Sequence, residues 1–101
     1  MNELQVKSPT IKSNEVSVMV GKNHFDLLKD IRNYVGYLAE GEIPLGEYFH
    51  ESTYLDKNNQ KRPNYQVTKK GCESIAHKLT GQKGASFTAT YINKFHEMER
   101  K

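Results

Sequence analysis

The clearest hydrophobic pattern in the chain lies between Ser13 and Glu40 and predicts two helices separated by a tight turn. Ser13 and Asn23 stand where helix caps belong, and Gly21 can end the first helix. The first helix has apolar positions at Val16, Met19 and Val20. The second has a stripe of Phe25, Leu28, Ile31, Val35 and Leu38. Two helices joined by a short turn with Gly are typical of a DNA-binding helix-turn-helix, and also of an αα-hairpin in any small helical domain.

The segments on either side of this unit are less regular. Met1 to Lys12 has an extended character, with alternating apolar residues and Pro9, which predicts one short edge strand. Gly36 to Gly46 carries three glycines and one proline, so the second helix should end near Glu40 and a loop should follow.

Residues 47–68 predict a β-hairpin. β-forming side chains dominate from Tyr48 to Asp56 and from Arg62 to Val67, and the residues between them are polar and turn-prone. Pro63 cannot donate to a strand ladder, so the second strand should begin irregularly or lie on an edge. A hairpin after a helix-turn-helix is typical of the wing of a winged helix, although a charged hairpin tip is common in any antiparallel protein.

Residues 69–101 predict two further helices. Thr68 should cap the first, Gly81 should end it, and its apolar face is Cys72, Ile75, Ala76 and Leu79. In this pattern Cys72 is a buried small apolar residue. The last helix begins near Gly84 and is aromatic on one side. Its far end is a candidate dimer or partner surface, formed by Tyr91, Phe95 and Met98.

These elements predict a single α+β domain over residues 1–101, similar to a winged helix-turn-helix. It would have about four helices and a small antiparallel hairpin or sheet. Residues 1–12 form its extended start, 13–40 the helix-turn-helix, 47–68 the wing, and 69–101 the C-terminal helices.

Composition and charge narrow the function. The chain has 101 residues, of which 36% are hydrophobic, and no apolar run approaches the length of a membrane span. One cysteine cannot form an internal disulfide, which fits a cytoplasmic protein. Residues 38–56 carry five acids and no Lys or Arg, whereas residues 57–83 carry seven basic residues against one Glu. Such polarity favours a polyanionic partner; the alternative is that the lysines form the solvated face of a loop and a helix.

The candidate DNA-binding residues come from the charged and amide side chains outside the apolar stripes. Asn can bond adenine, and Lys or Arg can bond guanine, from the start of a recognition helix. In the second helix the candidates are Lys22, Asn23, His24, Lys29, Arg32 and Asn33. In the wing and beyond they are Lys57, Asn58, Asn59, Lys61, Arg62, Lys69, Lys70 and Lys83. Asp26 and Asp30 would repel DNA unless they face away from it or read cytosine.

Catalytic and metal-binding patterns are absent from the sequence. The four histidines are widely spaced and lack zinc-ligand spacing, and no cofactor fingerprint is present. We therefore expect neither a cofactor, a metal nor an enzyme activity.

Taken together, residues 13–99 resemble the phage regulatory protein Rha family. The resemblance rests on short blocks in the family's order: Ser13-Asn14-Glu15-Val16, Gly21-Lys22-Asn23-His24, Leu28-Lys29-Asp30-Ile31-Arg32, Phe49-His50-Glu51-Ser52-Thr53-Tyr54-Leu55-Asp56, Arg62-Pro63-Asn64-Tyr65, Val67-Thr68, Thr80-Gly81-Gln82-Lys83-Gly84-Ala85 with Phe87, and Tyr91-Ile92-Asn93-Lys94-Phe95-His96-Glu97-Met98-Glu99. It implies a prophage-encoded transcriptional regulator or antirepressor with an N-terminal DNA-binding domain, often followed by a second domain. The chain would then be a small member or an N-terminal piece.

Two functions follow as expectations. The first is a regulator that binds double-stranded DNA through the second helix and the basic wing. The second is an antirepressor that captures a phage repressor through the acidic 38–56 stretch or the terminal helix, without touching DNA. A homodimer is expected because operators are often palindromic.

Overall fold

The computed structural model describes residues 9–100 as an α+β fold of four helices and a three-stranded antiparallel sheet. The elements are β1 (Ile11–Lys12), α1 (Ser13–Val20), α2 (His24–Glu40), a 3-10 turn (Leu45–Glu47), β2 (Phe49–Leu55), β3 (Lys61–Val67), α3 (Lys69–His77) and α4 (Gly81–Glu99). This confirms the predicted fold class and is compatible with a winged helix. The part of the predicted N-terminal strand before Pro9 lies outside the described residues.

β3 is the central strand of the sheet, with the order β1-β3-β2. It pairs with β2 along its whole length, from Leu55 opposite Lys61 to Phe49 opposite Val67, whereas β1 covers only Gln66 and Val67. Pro63 pairs with Thr53 inside the regular ladder, so β3 does not begin irregularly. At Pro63 only β2 is paired with the strand, and the missing N–H therefore disrupts no second ladder.

One apolar core joins all four helices to the sheet. Its members are nearly inaccessible to solvent: Ile11, Val16, Val20, Leu27, Leu28, Ile31, Phe49, Tyr65, Val67, Cys72, Ile75, Phe87, Tyr91 and Phe95. Cys72 is fully buried, as predicted for a small apolar residue, and this burial raises the pKa of its thiol to about 12.

α3 begins in close contact with the start of β2, and this seam requires glycine at position 71. The Thr68 side chain accepts a hydrogen bond from the Gly71 N–H, as predicted for a cap, and its own hydroxyl donates to the Glu47 carbonyl. A Cβ on Gly71 would lie 2.3 Å from the Tyr48 carbonyl oxygen. Any side chain there would force α3 away from the sheet.

Two of the predicted helix boundaries and one predicted core residue are wrong. Ser13 does not cap α1, because its hydroxyl is buried and bonds to β3 instead. Gly81 does not end α3, which stops at His77; it is the first residue of α4. Phe25 is 66% exposed, and Leu27 occupies the core in its place. Ile31 is six positions after Phe25. At about 100° per residue, the two side chains therefore point about 120° apart around the helix.

Candidate nucleic-acid interface

The two residues that precede α2 have structural roles that limit their contact with a ligand. The Asn23 side chain accepts a hydrogen bond from the Phe25 N–H at 2.8 Å and so caps the helix, as predicted. The Lys22 ammonium bonds the Asp30 carboxylate at 2.5 Å. Lys22 and Asn23 remain exposed, but each already has an intramolecular partner.

His24 takes part in a polar junction that fixes the start of α2 against the hairpin. The Ser13 hydroxyl donates to Asn64 Oδ1 at 2.6 Å and accepts from the Tyr65 N–H at 2.9 Å. Because that hydroxyl has one proton, His24 Nε2, 2.9 Å away, must be the donor to Ser13. The His24 ring also lies 5.8 Å from the ring of Tyr54 in β2. Burial lowers the pKa of His24, so the neutral ring is favoured.

The outer surface of α2 separates basic from acidic side chains. Phe25, Lys29, Arg32 and Gly36 follow the helical repeat i, i+4, i+7, i+11 and are all exposed; we call them the outer stripe of α2. At about 100° per residue, Asp26 and Asp30 lie on a neighbouring face, a quarter turn or more away. Asn33 is exposed between these two faces. The acids therefore do not interrupt the stripe.

The hairpin tip is organised by one carboxylate. Asp56 accepts hydrogen bonds from the N–H groups of Asn58 and Gln60 and, at 2.8 Å, from Arg62 Nε. These bonds hold the pKa of Asp56 below its usual value, with the Arg62 bond as the largest cause. Asn59 adopts the left-handed conformation that the turn requires, with φ of 62°. The tip is thus a defined turn from which the Lys57 and Lys61 side chains extend into solvent.

α2 and the hairpin share a groove of about 400 Å³ that carries positive charge. Arg32 from α2 lines it together with Lys61 and Arg62 from β3. Glu51 is the acidic side chain in this lining. Because Arg62 is already paired with Asp56, Arg32 and Lys61 supply the basic groups of the groove that have no ion pair among the described residues. The structure therefore brings one predicted second-helix residue, Arg32, together with two predicted wing residues, Lys61 and Arg62.

The remaining predicted cations lie elsewhere. Lys69 and Lys70 line a separate groove of about 930 Å³, together with Glu47, Glu51 and Glu99. The Lys70 ammonium bonds Glu47 at 2.9 Å, which raises the pKa of Lys70. Lys83 sits near the turn between α1 and α2, since a Cβ on Gly21 would lie 3.9 Å from its Cε atom. These three residues do not join the groove between α2 and the hairpin.

The proposed dimer surface on α4 must also be corrected. Tyr91 and Phe95 are almost fully buried within the apolar core, and they pack against each other with ring centres 6.4 Å apart. Met98 is half-buried against the same core. Tyr91 and Phe95 therefore belong to the core of the domain.

Within residues 9–100, no group of three or more His, Cys, Asp or Glu side chains is placed to hold a metal ion. Among the helices of this part of the chain, none has the length and apolarity needed to cross a lipid bilayer.

Comparison with known proteins shows the family to which the chain belongs. The profile of the phage regulatory protein Rha family matches residues 11–100, so the chain belongs to this family of phage regulators. The match runs from β1 to the end of α4 and includes the groove.

Two relatives cover most of the chain. YoqD, named as a candidate antirepressor from the SPbeta prophage of Bacillus subtilis (strain 168), is 46% identical over 90 residues. An uncharacterized protein of Haemophilus influenzae (strain Rd) is 32% identical over 89 residues. The chain is covered to 89% and 88% in these comparisons, but it spans only 36% and 51% of the two relatives' lengths. No solved structure matches the chain with a significant score.

Proposed function

We propose that this phage regulatory protein controls transcription by binding double-stranded DNA, with the outer stripe of α2 in the major groove and the hairpin tip on the adjacent backbone. The observation that carries the proposal is the groove in which Arg32 meets Lys61 and Arg62. This groove lies between α2, a helix of 17 residues, and the basic end of the hairpin.

The connectivity supports this arrangement. A winged helix-turn-helix needs a short first helix, a tight turn and a longer exposed helix followed by a two-stranded hairpin. α1, α2, β2 and β3 occur in this order, and Gly21 makes the turn with φ of 69°. The polar junction at Ser13 and His24 holds the start of α2 beside β3 and so fixes the angle between helix and wing.

The electrostatics support it as well. Lys29, Arg32 and Lys61 are exposed, and within residues 9–100 none of them forms an ion pair. Cations without an acidic partner can neutralise phosphates and release the condensed counterions of DNA. Phosphate contacts by the tip would position the protein, and Arg32 or Asn33 would contact base edges.

A salt series tests the proposal. Binding of a fluorescent pool of random duplexes should weaken with salt, with a log–log slope of about −3 for three to four phosphate contacts. Lys61→Ala should weaken binding to all sequences and flatten the slope by about 0.9. Lys94→Ala is the matched control, because Lys94 lies on α4 and pairs with Glu15. Binding that ignores salt, or equal effects of both variants, would contradict DNA contact at this surface.

A second candidate function is capture of a repressor protein. It is supported by an apolar set at the end of α2 and in the following loop, where Tyr37, Ile43 and Leu45 are 63%, 42% and 36% exposed beside Glu40 and Glu42. Apolar side chains with an acidic rim suit a basic partner. In a pull-down with the phage repressor as bait, Tyr37→Ala with Ile43→Ser should lose capture and keep DNA binding. Membership of a family of regulators favours a non-enzymatic role in either case.

A further inference from the structure

Phe25 is an exposed aromatic side chain that the core does not use. It lies in the first turn of α2 with 66% of its surface accessible, while Leu27, Leu28 and Ile31 bury the inner face of the same helix. A large apolar side chain is ordinarily more stable when buried. An exposed Phe on a helix proposed to enter DNA therefore invites an explanation in terms of binding.

The position of Phe25 on the helix limits what it could touch. It begins the outer stripe and lies one turn before Lys29 and two before Arg32. A side chain on this stripe faces whatever Arg32 faces, since residues at i and i+7 share a side of the helix. In the proposed complex, Phe25 would thus meet base edges and not solvent.

Gly36 supplies a second, independent observation on the same stripe. It lies inside α2, where Gly is less favourable than Ala, and a Cβ at this position would meet no atom within 4 Å. Neither packing nor backbone conformation explains a glycine here. Because glycine has no side chain, another surface can approach the helix backbone closely at Gly36, on the same stripe as Phe25, Lys29 and Arg32.

We propose that Phe25 recognises the C5-methyl group of a thymine in the major groove, and this inference rests on the proposed DNA-binding function. The methyl group is the apolar feature that distinguishes thymine in that groove, and Phe is among the side chains that contact it. Arg32 and Asn33 would read donors and acceptors, whereas Phe25 would read shape and apolar surface. Burial of one methyl group corresponds to about a fourfold change in affinity.

Replacement of thymine by uracil isolates this contact, because uracil lacks only the methyl group and keeps the same donors and acceptors. Duplexes would first be selected by the wild-type protein from a random 20-base-pair pool. Each thymine of the best duplex would then be replaced singly by uracil. One position per bound domain should lose about fourfold in affinity.

The Phe25→Ala variant closes a double-mutant cycle. It should bind the thymine duplex about fourfold more weakly, and uracil at the sensitive position should then have no further effect. Phe25→Leu should keep part of the thymine preference, because it retains an apolar side chain. Tyr37→Ala is the matched control: Tyr37 is 63% exposed on the same helix but lies outside the stripe. Its thymine preference should equal that of the wild type.

The outcomes separate the two proposals. If Phe25→Ala shows the same uracil effect as the wild type, or if no uracil substitution matters, the thymine contact is wrong and DNA binding stands. If the wild-type protein selects no duplex from the pool, both proposals are wrong. Circular dichroism and thermal unfolding of each variant check that its fold is intact.

Discussion

Two glycines in helices of this protein stand in opposite surroundings. At the seam between α3 and β2, Gly71 lies so close to the Tyr48 carbonyl that a Cβ would come within 2.3 Å of the oxygen. On the outer stripe of α2, Gly36 has open space around it. Packing explains why glycine is needed at position 71 in the seam. On the outer stripe of α2, packing explains neither the exposed Phe25 nor Gly36. Residues that stability does not account for are the best candidates for function.

The largest expected effect is on the seam. Gly71→Ala should lower the free energy of unfolding by about 3 kcal/mol or more, because the methyl group cannot fit without moving α3 from the sheet. Urea denaturation followed by circular dichroism measures this change. A loss below about 1 kcal/mol would mean that α3 shifts easily and that the seam is not tightly packed.

The same substitution on the stripe should have the opposite sign. Gly36→Ala should stabilise the protein by about 0.5–1 kcal/mol, because alanine lowers the backbone entropy lost when the helix forms. It should also weaken DNA binding if a surface approaches α2 closely at this point. Urea denaturation and duplex titration of the same protein preparation give the free energy of unfolding and the affinity for DNA. A variant that is more stable and binds equally well would remove Gly36 from the interface.

A smaller effect is expected at Glu51, the acid that lines the groove with Arg32, Lys61 and Arg62. Glu51→Gln should tighten DNA binding about threefold at low salt, because it removes repulsion between a carboxylate and phosphates. The gain should shrink at high salt as the charges are screened. Glu97→Gln, exposed on α4, should leave affinity unchanged. Tighter binding in both variants would indicate a general charge effect.

The smallest effect concerns the His24 junction. Burial lowers the pKa of His24 below 6.5, so protonation opposes the folded state. The stability that the neutral ring contributes is present above pH 6.5 and is lost as pH falls through the lower folded-state pKa. Unfolding free energies at pH 7.5 and pH 5 should therefore differ more in the wild type than in His24→Gln. An equal difference in the two proteins would show that other groups cause the pH dependence.

Local patterns predicted most of the fold. Helical periodicity located α1 to α4, and the Asn23 and Thr68 caps were visible because a cap and its helix are adjacent in sequence. The three-residue spacing from Phe25 to Leu28 and Ile31 suggests one face, but each step of three residues turns the helix by only about 300°, so Phe25 and Ile31 lie on different faces. Leu27, one turn before Ile31, fits the buried face better.

The site depends on long-range contacts that no local pattern reveals. Ser13 looked like a cap, but its partner Asn64 lies 51 residues away. The groove likewise joins Arg32 to Lys61 and Arg62 across the intervening loop and strand. Asp56 could have been found, because an Asp in a turn often accepts a hydrogen bond from the backbone N–H two residues later, which here is that of Asn58.

The central claim is that the position of positive charge, and not its amount, determines DNA binding. Two double variants of equal net charge test it: Arg32→Gln with Lys61→Gln in the groove, and Lys78→Gln with Lys94→Gln outside it. Lys78 directly follows α3, with its ammonium 5.2 Å from the ring centre of Tyr34, and does not line the groove. Each double variant lowers the net charge of +3 by two, to +1. In titrations of a random duplex pool across salt, the groove variant should bind at least about tenfold more weakly, with a log–log slope flatter by about 0.9, because Lys61 is the phosphate contact that it removes. The control should keep the wild-type slope. Equal losses in the two variants would contradict the account.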